Sequence, residues 1–320
     1  MIISIDSGSS NLKIALSDKV FCEPSLVEEV SEKSSIQEKI FFSGKWYVAG
    51  KRAEQQKSSY EVEPEISGNF HGSEKQVIQW VYAFEKENLE GNHEVLIVSL
   101  PYETFSNDKV VNLINNRKIF KWKNSNGLEK EISFKKVIVV PQGVGALALY
   151  QNEFQGSKMP RLLTLVDIGS CTTDIVSVVW DDDDQTYIYK EKDCTSILEI
   201  STSVFIRRIR DKINEKRTIP VDFGYHEITR AIQKGEFVLQ IGSNEIDFKD
   251  IYHNQTKLLT SELSNKLSEL LADTWRASNE VVLTGGGASF ILPWECEKRT
   301  KRMDLFSNVK GQLIIGKGMI

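Results

Sequence analysis

The chain carries one pattern twice, half a chain apart. IISIDSGSSNLKIAL from Ile2 and LTLVDIGSCTTDIVSV from Leu163 align without gaps, so that Asp6 falls on Asp167, Gly8 on Gly169 and Ser9 on Ser170. Each copy is a β-rich apolar run ending at an aspartate, a small-residue turn, and a second β-rich run, Lys13 to Leu16 in one and Ile175 to Trp180 in the other. That is strand, phosphate-sized hairpin loop, strand. One Asp-x-Gly-Ser turn is an ordinary hairpin. Two in register, 161 residues apart in a chain of 320, predict two similar α/β domains, each presenting one loop, with a ligand held between them. The length agrees, at roughly 150 residues per domain.

The residue types in the loops suit an anion. Gly8 and Gly169 allow close backbone approach and positive φ, and the neighbouring amides and the hydroxyls of Ser9, Ser10, Thr172 and Thr173 can donate to phosphate oxygens. Lys13 supplies a point cation. Asp6, Asp167 and Asp174, at strand ends, suit a hard divalent cation such as Mg²⁺, which keeps several waters and completes its shell from phosphates.

Other segments complete the outline. Val137 to Val140 reads as a buried strand that Pro141 breaks before a small-residue helix start, and Val281 to Ile291, VVLTGGGASFI, reads as a strand followed by a glycine wall for a base or ribose. Gly143-Val-Gly145-Ala-Leu-Ala148 also fits the dinucleotide pattern GxGxxA, with Asp167 about twenty residues later. Pro141 and Gln142 intervene there between strand and glycine, and Asp167 belongs to its own loop; both features count against the dinucleotide reading. Val77, Trp80, Val81 and Phe84 share one helix face, and Leu263, Leu267, Leu270, Leu271 and Trp275 another; both faces read as core. Hairpins are predicted at Lys39–Ala53, turning at Ser43-Gly44, and at Phe237–Phe248, turning at Gly242 to Asn244. Asp181 to Asp184 lacks the spacing of a calcium loop and reads as a solvated turn. Arg207, Arg208 and Arg210 fall on a predicted helix after Ser201, and the glycines at 311, 316 and 318 mark a tightly packed final helix.

Composition excludes several classes. With 40 Lys and Arg against 45 Asp and Glu, the net charge is −5 and the pI about 5.6, so no global cationic field holds a phosphate polymer and direct DNA binding is not expected. Cys22, Cys171, Cys194 and Cys296 stand far apart, with no CxxC pair, so neither a zinc site nor a disulfide framework is indicated. No apolar run reaches the roughly 18 to 20 residues of a membrane span, and MIISIDSGSS lacks the basic start of a signal peptide. The expected location is the cytoplasm.

The ordered set, Asp6 to Lys13, Val140-Pro-Gln-Gly-Val-Gly-Ala146, Asp167 to Asp174, Thr284-Gly-Gly-Gly-Ala288 and the small-residue terminal helix, resembles the five-part nucleotide signature of the actin, sugar kinase and heat-shock chaperone ATPase superfamily. Within it the chain looks most similar to the plasmid-segregation actins, the ParM or StbA-like family. The resemblance implies an α/β fold of two similar actin-like (ribonuclease H-like) domains with a nucleotide cleft between them, each with a small accessory lobe. Domain I would take 1–158, with its lobe at about 28–72, and be completed by a helix at about 305–320; domain II would take 159–304, with its lobe at about 215–257.

The resemblance also implies roles. Asp6 and Asp167 would hold Mg²⁺, mostly through water. Ser7, Gly8, Ser9, Ser10, Asn11 and Lys13, with Gly169, Ser170, Cys171, Thr172 and Thr173, would bind phosphates, while Glu199, Arg207, Gly285, Gly286 and Gly287 would lie near the nucleoside. Gln142 would orient the attacking water, and with Asp6 and Asp167 would form the catalytic set. Glutamine is no general base, but phosphoryl transfer to water depends chiefly on positioning and charge stabilisation. Two departures concern the base and loop two: Cys171 stands where relatives carry glycine or threonine, and Cys194 to Ile200 lacks their glycine-rich turn.

The implied activity is an ATPase, with GTP the alternative substrate, that polymerises with nucleotide and segregates plasmid DNA through a DNA-binding adaptor on a centromere. A small-molecule kinase or phosphatase of the same fold is the alternative, though no second carboxylate cluster aims at an acceptor hydroxyl. A chaperone would need a peptide-binding domain beyond the terminal helix and a division actin an amphipathic anchor; neither is expected. A nucleotide-binding protein without turnover is the remaining class.

Overall fold

The computed structural model describes residues 1–56, 70–154, 158–215, 217, 223–241, 244–292 and 299–319. These fall into two compact units, one built from the described parts of 1–156 together with 305–319, the other from the rest, 158–304.

The first unit runs β1 (Ile2–Ser7), β2 (Asn11–Ala15), β3 (Val20–Pro24), β4 (Val27–Val30), β5 (Ile40–Phe42), β6 (Lys45–Ala49), α1 (Gly50–Glu54), α2 (Glu74–Lys86), β7 (Gly91–Leu100), α3 (Tyr102–Phe105), α4 (Asp108–Asn115), β8 (Ile119–Lys123), β9 (Glu129–Pro141) and α5 (Val144–Glu153). The second runs β10 (Leu162–Ile168), β11 (Thr173–Asp181), β12 (Thr186–Tyr189), β13 (Thr195–Ile197), α6 (Thr202–Glu215), α7 (Tyr225–Lys234), β14 (Val238–Ile241), β15 (Asn244–Asp247), α8 (Lys249–Ala277), β16 (Glu280–Thr284) and β17 (Arg299–Arg302). The final helix, α9 (Ser307–Lys317), returns to the first unit.

The two units repeat one arrangement. β1 pairs antiparallel with β2 and parallel with β7; β10 pairs antiparallel with β11 and parallel with β16. The starting strand is internal in each sheet, and beyond its first residue, Ile2 or Leu162, its apolar residues are buried, as strands covered on both faces require. In the first unit the nine strands lie in the order β3-β2-β1-β7-β9-β8-β5-β6-β4, over a core that includes Ile5, Val98, Phe84 and Trp80. The second core gathers Val166, Ile175, Phe205, Leu263 and Leu283.

Local sequence accounts for the elements. Ser73 caps α2 by accepting from the Gln76 N–H, and Val77, Trp80, Val81 and Phe84 are buried on it. The β5–β6 hairpin turns at Ser43-Gly44, where both φ are positive (49° and 87°), the conformation that matches strand twist in a two-residue turn. In the second hairpin Ile241 pairs with Asn244. Asn244 is therefore strand, and the expected turn residues Gly242 and Ser243 lie outside the described residues. The Asp181 carboxylate accepts from the Asp183 and Asp184 N–H groups at 2.8 and 3.2 Å, closing a solvated turn. Among the described residues no helix is long and apolar enough to cross a membrane.

One core assignment changes. Leu270 is 40% exposed, whereas Leu259, Leu263, Leu267, Leu271 and Trp275 form the buried stripe of α8. Steps of four drift around a straight helix of 3.6 residues per turn, and α8 breaks at Ala272 (φ 42°, ψ −110°), between Leu271 and Trp275.

Candidate functional site

Each unit places a buried aspartate at the end of its first strand, beside a four-residue turn. In the first, the Gly8 N–H donates to the Asn11 carbonyl at 3.1 Å; in the second, the Gly169 N–H donates to the Thr172 carbonyl at 2.8 Å. Neither glycine has the positive φ expected from sequence. Their requirement is spatial: a Cβ on Gly8 would stand 3.1 Å from the Asn11 oxygen, and one on Gly169 2.9 Å from the Thr172 oxygen. The turn at Gly169 is therefore too tight for a side chain without a backbone shift, and the one at Gly8 would admit one only if the Asn11 carbonyl gave way by a few tenths of an ångström.

Asp6 is 1% exposed and lies directly across from Lys13 in the β1–β2 register. The Lys13 ammonium meets Asp6 Oδ2 at 2.9 Å, while Ser99 Oγ and Gln142 Nε2 donate to Oδ1 at 2.8 and 3.1 Å. Burial alone would raise the carboxyl pKa; the Lys13 charge and these hydrogen bonds outweigh it and hold the group below its ordinary value. Gln142 reaches Asp6 because its own N–H bonds the Leu100 carbonyl at 2.7 Å and because α5 begins immediately afterwards at Gly143 (φ 88°). The Asn308 side chain of α9 accepts from the Gly143 and Ala146 N–H groups, both at 3.2 Å, capping that helix start. Ser7 accepts from the Trp80 indole at 2.6 Å. Ser10 is 7% exposed and its hydroxyl has no partner among the described residues, so one buried donor in the turn is open to an acceptor.

In the second unit the position of Lys13 is taken by an aspartate. Asp167 pairs across the hairpin with Asp174, and both are buried, at 5% and 1% exposure. Thr172 donates to Asp174 Oδ2 at 3.1 Å and Ser196 to Oδ1. Thr173, fully buried, donates to the Ile200 carbonyl at 2.5 Å. Contrary to expectation, the hydroxyls of Thr172 and Thr173 thus bond within the unit, leaving Ser170 and the turn amides as the donors a ligand could meet. Thr202, at the start of α6, bonds the Gly169 carbonyl through Oγ1 at 2.7 Å and fixes the turn from behind.

The glycine run also packs against this turn. A Cβ on Gly285 (φ 84°) would lie 2.3 Å from Asp167 Oδ1, and one on Gly287 2.3 Å from Ile168 Cγ2. Gly286 is the exposed one of the three. Glu199 and Arg207 are both exposed. Cys171 is partly buried, 3.9 Å from the Ser170 hydroxyl.

Sequence reasoning overlooked Ser99, Ser196, Thr202 and Asn308. Ser99 had a signal, as the one polar residue inside the apolar run Leu96 to Leu100. The others act across long stretches of chain and carry no local mark.

The donor sets fit a magnesium nucleotide. Both Asp6 oxygens already accept hydrogen bonds, an arrangement that suits a cation approaching through water. Opposed carboxylates such as Asp167 and Asp174 repel each other unless a cation lies near. Among the described residues no three His, Cys, Asp or Glu side chains come together as a metal cluster.

A family model for the N-terminal domain of actin-like proteins matches residues 4–145, and one for the C-terminal domain of the archaeal MreB-like actin homologue matches residues 165–293. Among solved structures, a ParM from a 15-stranded Clostridium botulinum filament is 19% identical, with 99% of each chain covered and a TM-score of 0.77. The archaeal actin homologue Ta0583 is 17% identical, with 99% of each chain covered and a TM-score of 0.78; its complex with ADP gives 17%, 99%, 99% and 0.74. No curated protein sequence matches the chain. With one family model on each unit, and the fold shared along nearly the whole chain, the protein belongs to the actin-like ATPase superfamily.

Proposed function

We propose that this chain is a filament-forming ATPase that segregates plasmid DNA. The observation that carries the catalytic reading is the Gln142 amide, which donates to Asp6 Oδ1 at 3.1 Å. With its NH₂ group turned to the carboxylate, the Gln142 carbonyl oxygen is left to accept a proton of the attacking water. Asp6 and Asp167 would hold Mg²⁺ mostly through water, and the bound ion would supply neutralising charge at the phosphates. The open Ser10 hydroxyl, the turn amides between Ser7 and Asn11 and between Gly169 and Thr172 other than those of the two glycines, and the Lys13 ammonium would bind the β- and γ-phosphates. Gly286 lies against the nucleoside, with Glu199 and Arg207 near the base.

Assembly is supported by likeness to a chain solved as a filament. Nucleotide favours the assembling conformation, and hydrolysis withdraws that bias. The net charge of −5 suits contact with DNA through a separate adaptor protein rather than directly. The expected setting is the cytoplasm.

The test is light scattering with pelleting across a protein concentration series, in Mg²⁺ with ATP, GTP, ADP or a non-hydrolysable analogue, while phosphate release is recorded. Scattering that rises above a critical concentration only with triphosphate, followed by phosphate, supports the reading and identifies the base. A chain that binds nucleotide yet stays monomeric at every concentration overturns assembly and favours a kinase or phosphatase acting on a small hydroxylated acceptor.

A further inference from the structure

The nine-stranded sheet has one open seam. β5 and β8 are joined through a single residue pair, Phe41 with Lys123, whereas β8 pairs with β9 from Ile119 to Lys123. The Phe134 N–H donates to the Lys118 carbonyl. By antiparallel alternation residues 118, 120 and 122 turn their backbone groups to β9, and Ile119, Lys121 and Lys123 turn theirs to the β5 side. Lys123 meets Phe41 there, but Ile119 and Lys121 find no backbone partner among the described residues. The seam opens into a groove of about 330 Å³ walled by Phe42, Val77, Ile119 and Phe120. Ile119 is 56% exposed, beside Phe120 at 2%.

The groove is also charged. Arg117 and Lys121 stand on the β8 side and Glu74 on the other. Lys121 is paired with Glu131 at 2.8 Å, both exposed. Arg117 is partly buried, and among the described residues no carboxylate lies within ion-pair distance of its guanidinium. Residues 117–136 hold seven Lys and Arg against two Glu, a basic hairpin on an acidic chain.

We infer that this seam docks an extended segment of a partner protein, one carrying a carboxylate side chain between apolar residues, which adds to β8 as a short strand and pairs its carboxylate with Arg117. Unpaired edge N–H and C=O groups are a template for strand addition. The period of two along a strand sends alternate side chains to the apolar wall and to the guanidinium, whose fixed donor fork matches a carboxylate. Glu74 selects against acidic residues at every position. The inference uses neither loop and stands apart from the nucleotide reading.

The test uses a fluorescein-labelled peptide of alternating Glu and Val and its Lys/Val counterpart, titrated with the full chain and followed by anisotropy. The acidic peptide should bind saturably and the basic one should not. Arg117→Ala should weaken binding about tenfold or more, as loss of a charge-assisted pair does. Ile119→Pro removes a donor only on the open edge, where proline is tolerated; it should abolish binding while far-UV circular dichroism and the thermal midpoint stay unchanged. Failure of the acidic peptide to bind, or equal binding to the Arg117→Ala variant, overturns the proposal. If Ile119→Pro instead changes self-association in sedimentation velocity with no peptide bound, the occupant is a second copy and the separate partner falls.

Discussion

At the scale of the residue, Asp6 stays charged in a dry environment because Lys13, Ser99 and Gln142 stand on its oxygens. Lys13→Met removes the largest of these supports and leaves a buried carboxylate without its cation, a change that costs about 3 kcal/mol; urea midpoints measure it. Because the folded pKa of Asp6 lies below its ordinary value, its contribution is present at neutral pH and is lost as pH falls below about 4. The stability gap between wild type and Asp6→Asn should therefore close on acidification through that range. His71 works in the same direction but at higher pH. Burial lowers its pKa to about 4, with the Asp6 charge opposing, and the Gln76 amide contacts Nδ1 at 3.3 Å. The unfolded imidazole binds its proton first, so stability declines as pH falls below about 6.5, by roughly 2 kcal/mol at pH 5. His71→Gln should flatten that part of the profile, and a variant that follows the wild-type slope would remove His71 as its source. Of these groups the aspartates and Lys13 are legible in sequence, because the duplicated motif marks them. Ser99 shows only as a polar residue in an apolar run, its partner Asp6 lying 93 residues away, and the burial of His71 has no local mark.

Among the elements, the crossing of α5 and α9 carries the tightest constraint. A Cβ on Gly311 would stand 1.6 Å from the Gly145 carbonyl oxygen, and one on Gly145 2.1 Å from that of Asn308. Both obstacles are backbone, so no side chain can swing aside. Gly311→Ala should destabilise by about 3 kcal/mol, the upper end for overpacking, and should loosen the Asn308 cap on the helix that follows Gln142. Gly318→Ala, whose Cβ meets nothing nearer than 3.5 Å, should change stability by under about 0.5 kcal/mol. Thermal melts of the two variants side by side make the comparison; equal losses would mean the crossing is not the constraint. The small residues of α9 show in sequence that it packs closely, but not against what. The same limit applies to α8, where periodicity places Leu270 in the core but the buried stripe drifts past it and leaves it 40% exposed. It applies again to the glycine run, whose packing on Asp167 is invisible until the strands are laid side by side.

For the whole molecule, duplication is the feature sequence reveals most fully: two hairpins with the same register, one closing Asp6 against Lys13 and the other Asp167 against Asp174. The opening hairpin of one unit could be read from that of the other, because a strand–turn–strand unit ending in aspartate is a local pattern. The asymmetry within the repeat separates two tasks. Under the proposed function the lysine-paired aspartate carries the glutamine that orients water, whereas the aspartate-paired one, opposite a second carboxylate, takes the cation. Under the proposed function these tasks can be uncoupled at the level of assembly. Gln142→Ala removes the amide that aligns water but none of the turn donors, so nucleotide binding and triphosphate-dependent assembly should persist while phosphate release falls on the order of 10²-fold, the cost of losing alignment. Polymers of that variant should then outlast wild-type ones after a single addition of ATP, as followed by scattering decay. Asp167→Ala, by contrast, should lose phosphate release through the metal. If Gln142→Ala hydrolyses at the wild-type rate, the water is held by another group, and the Gln142–Asp6 contact serves only to keep the Asp6 carboxylate charged.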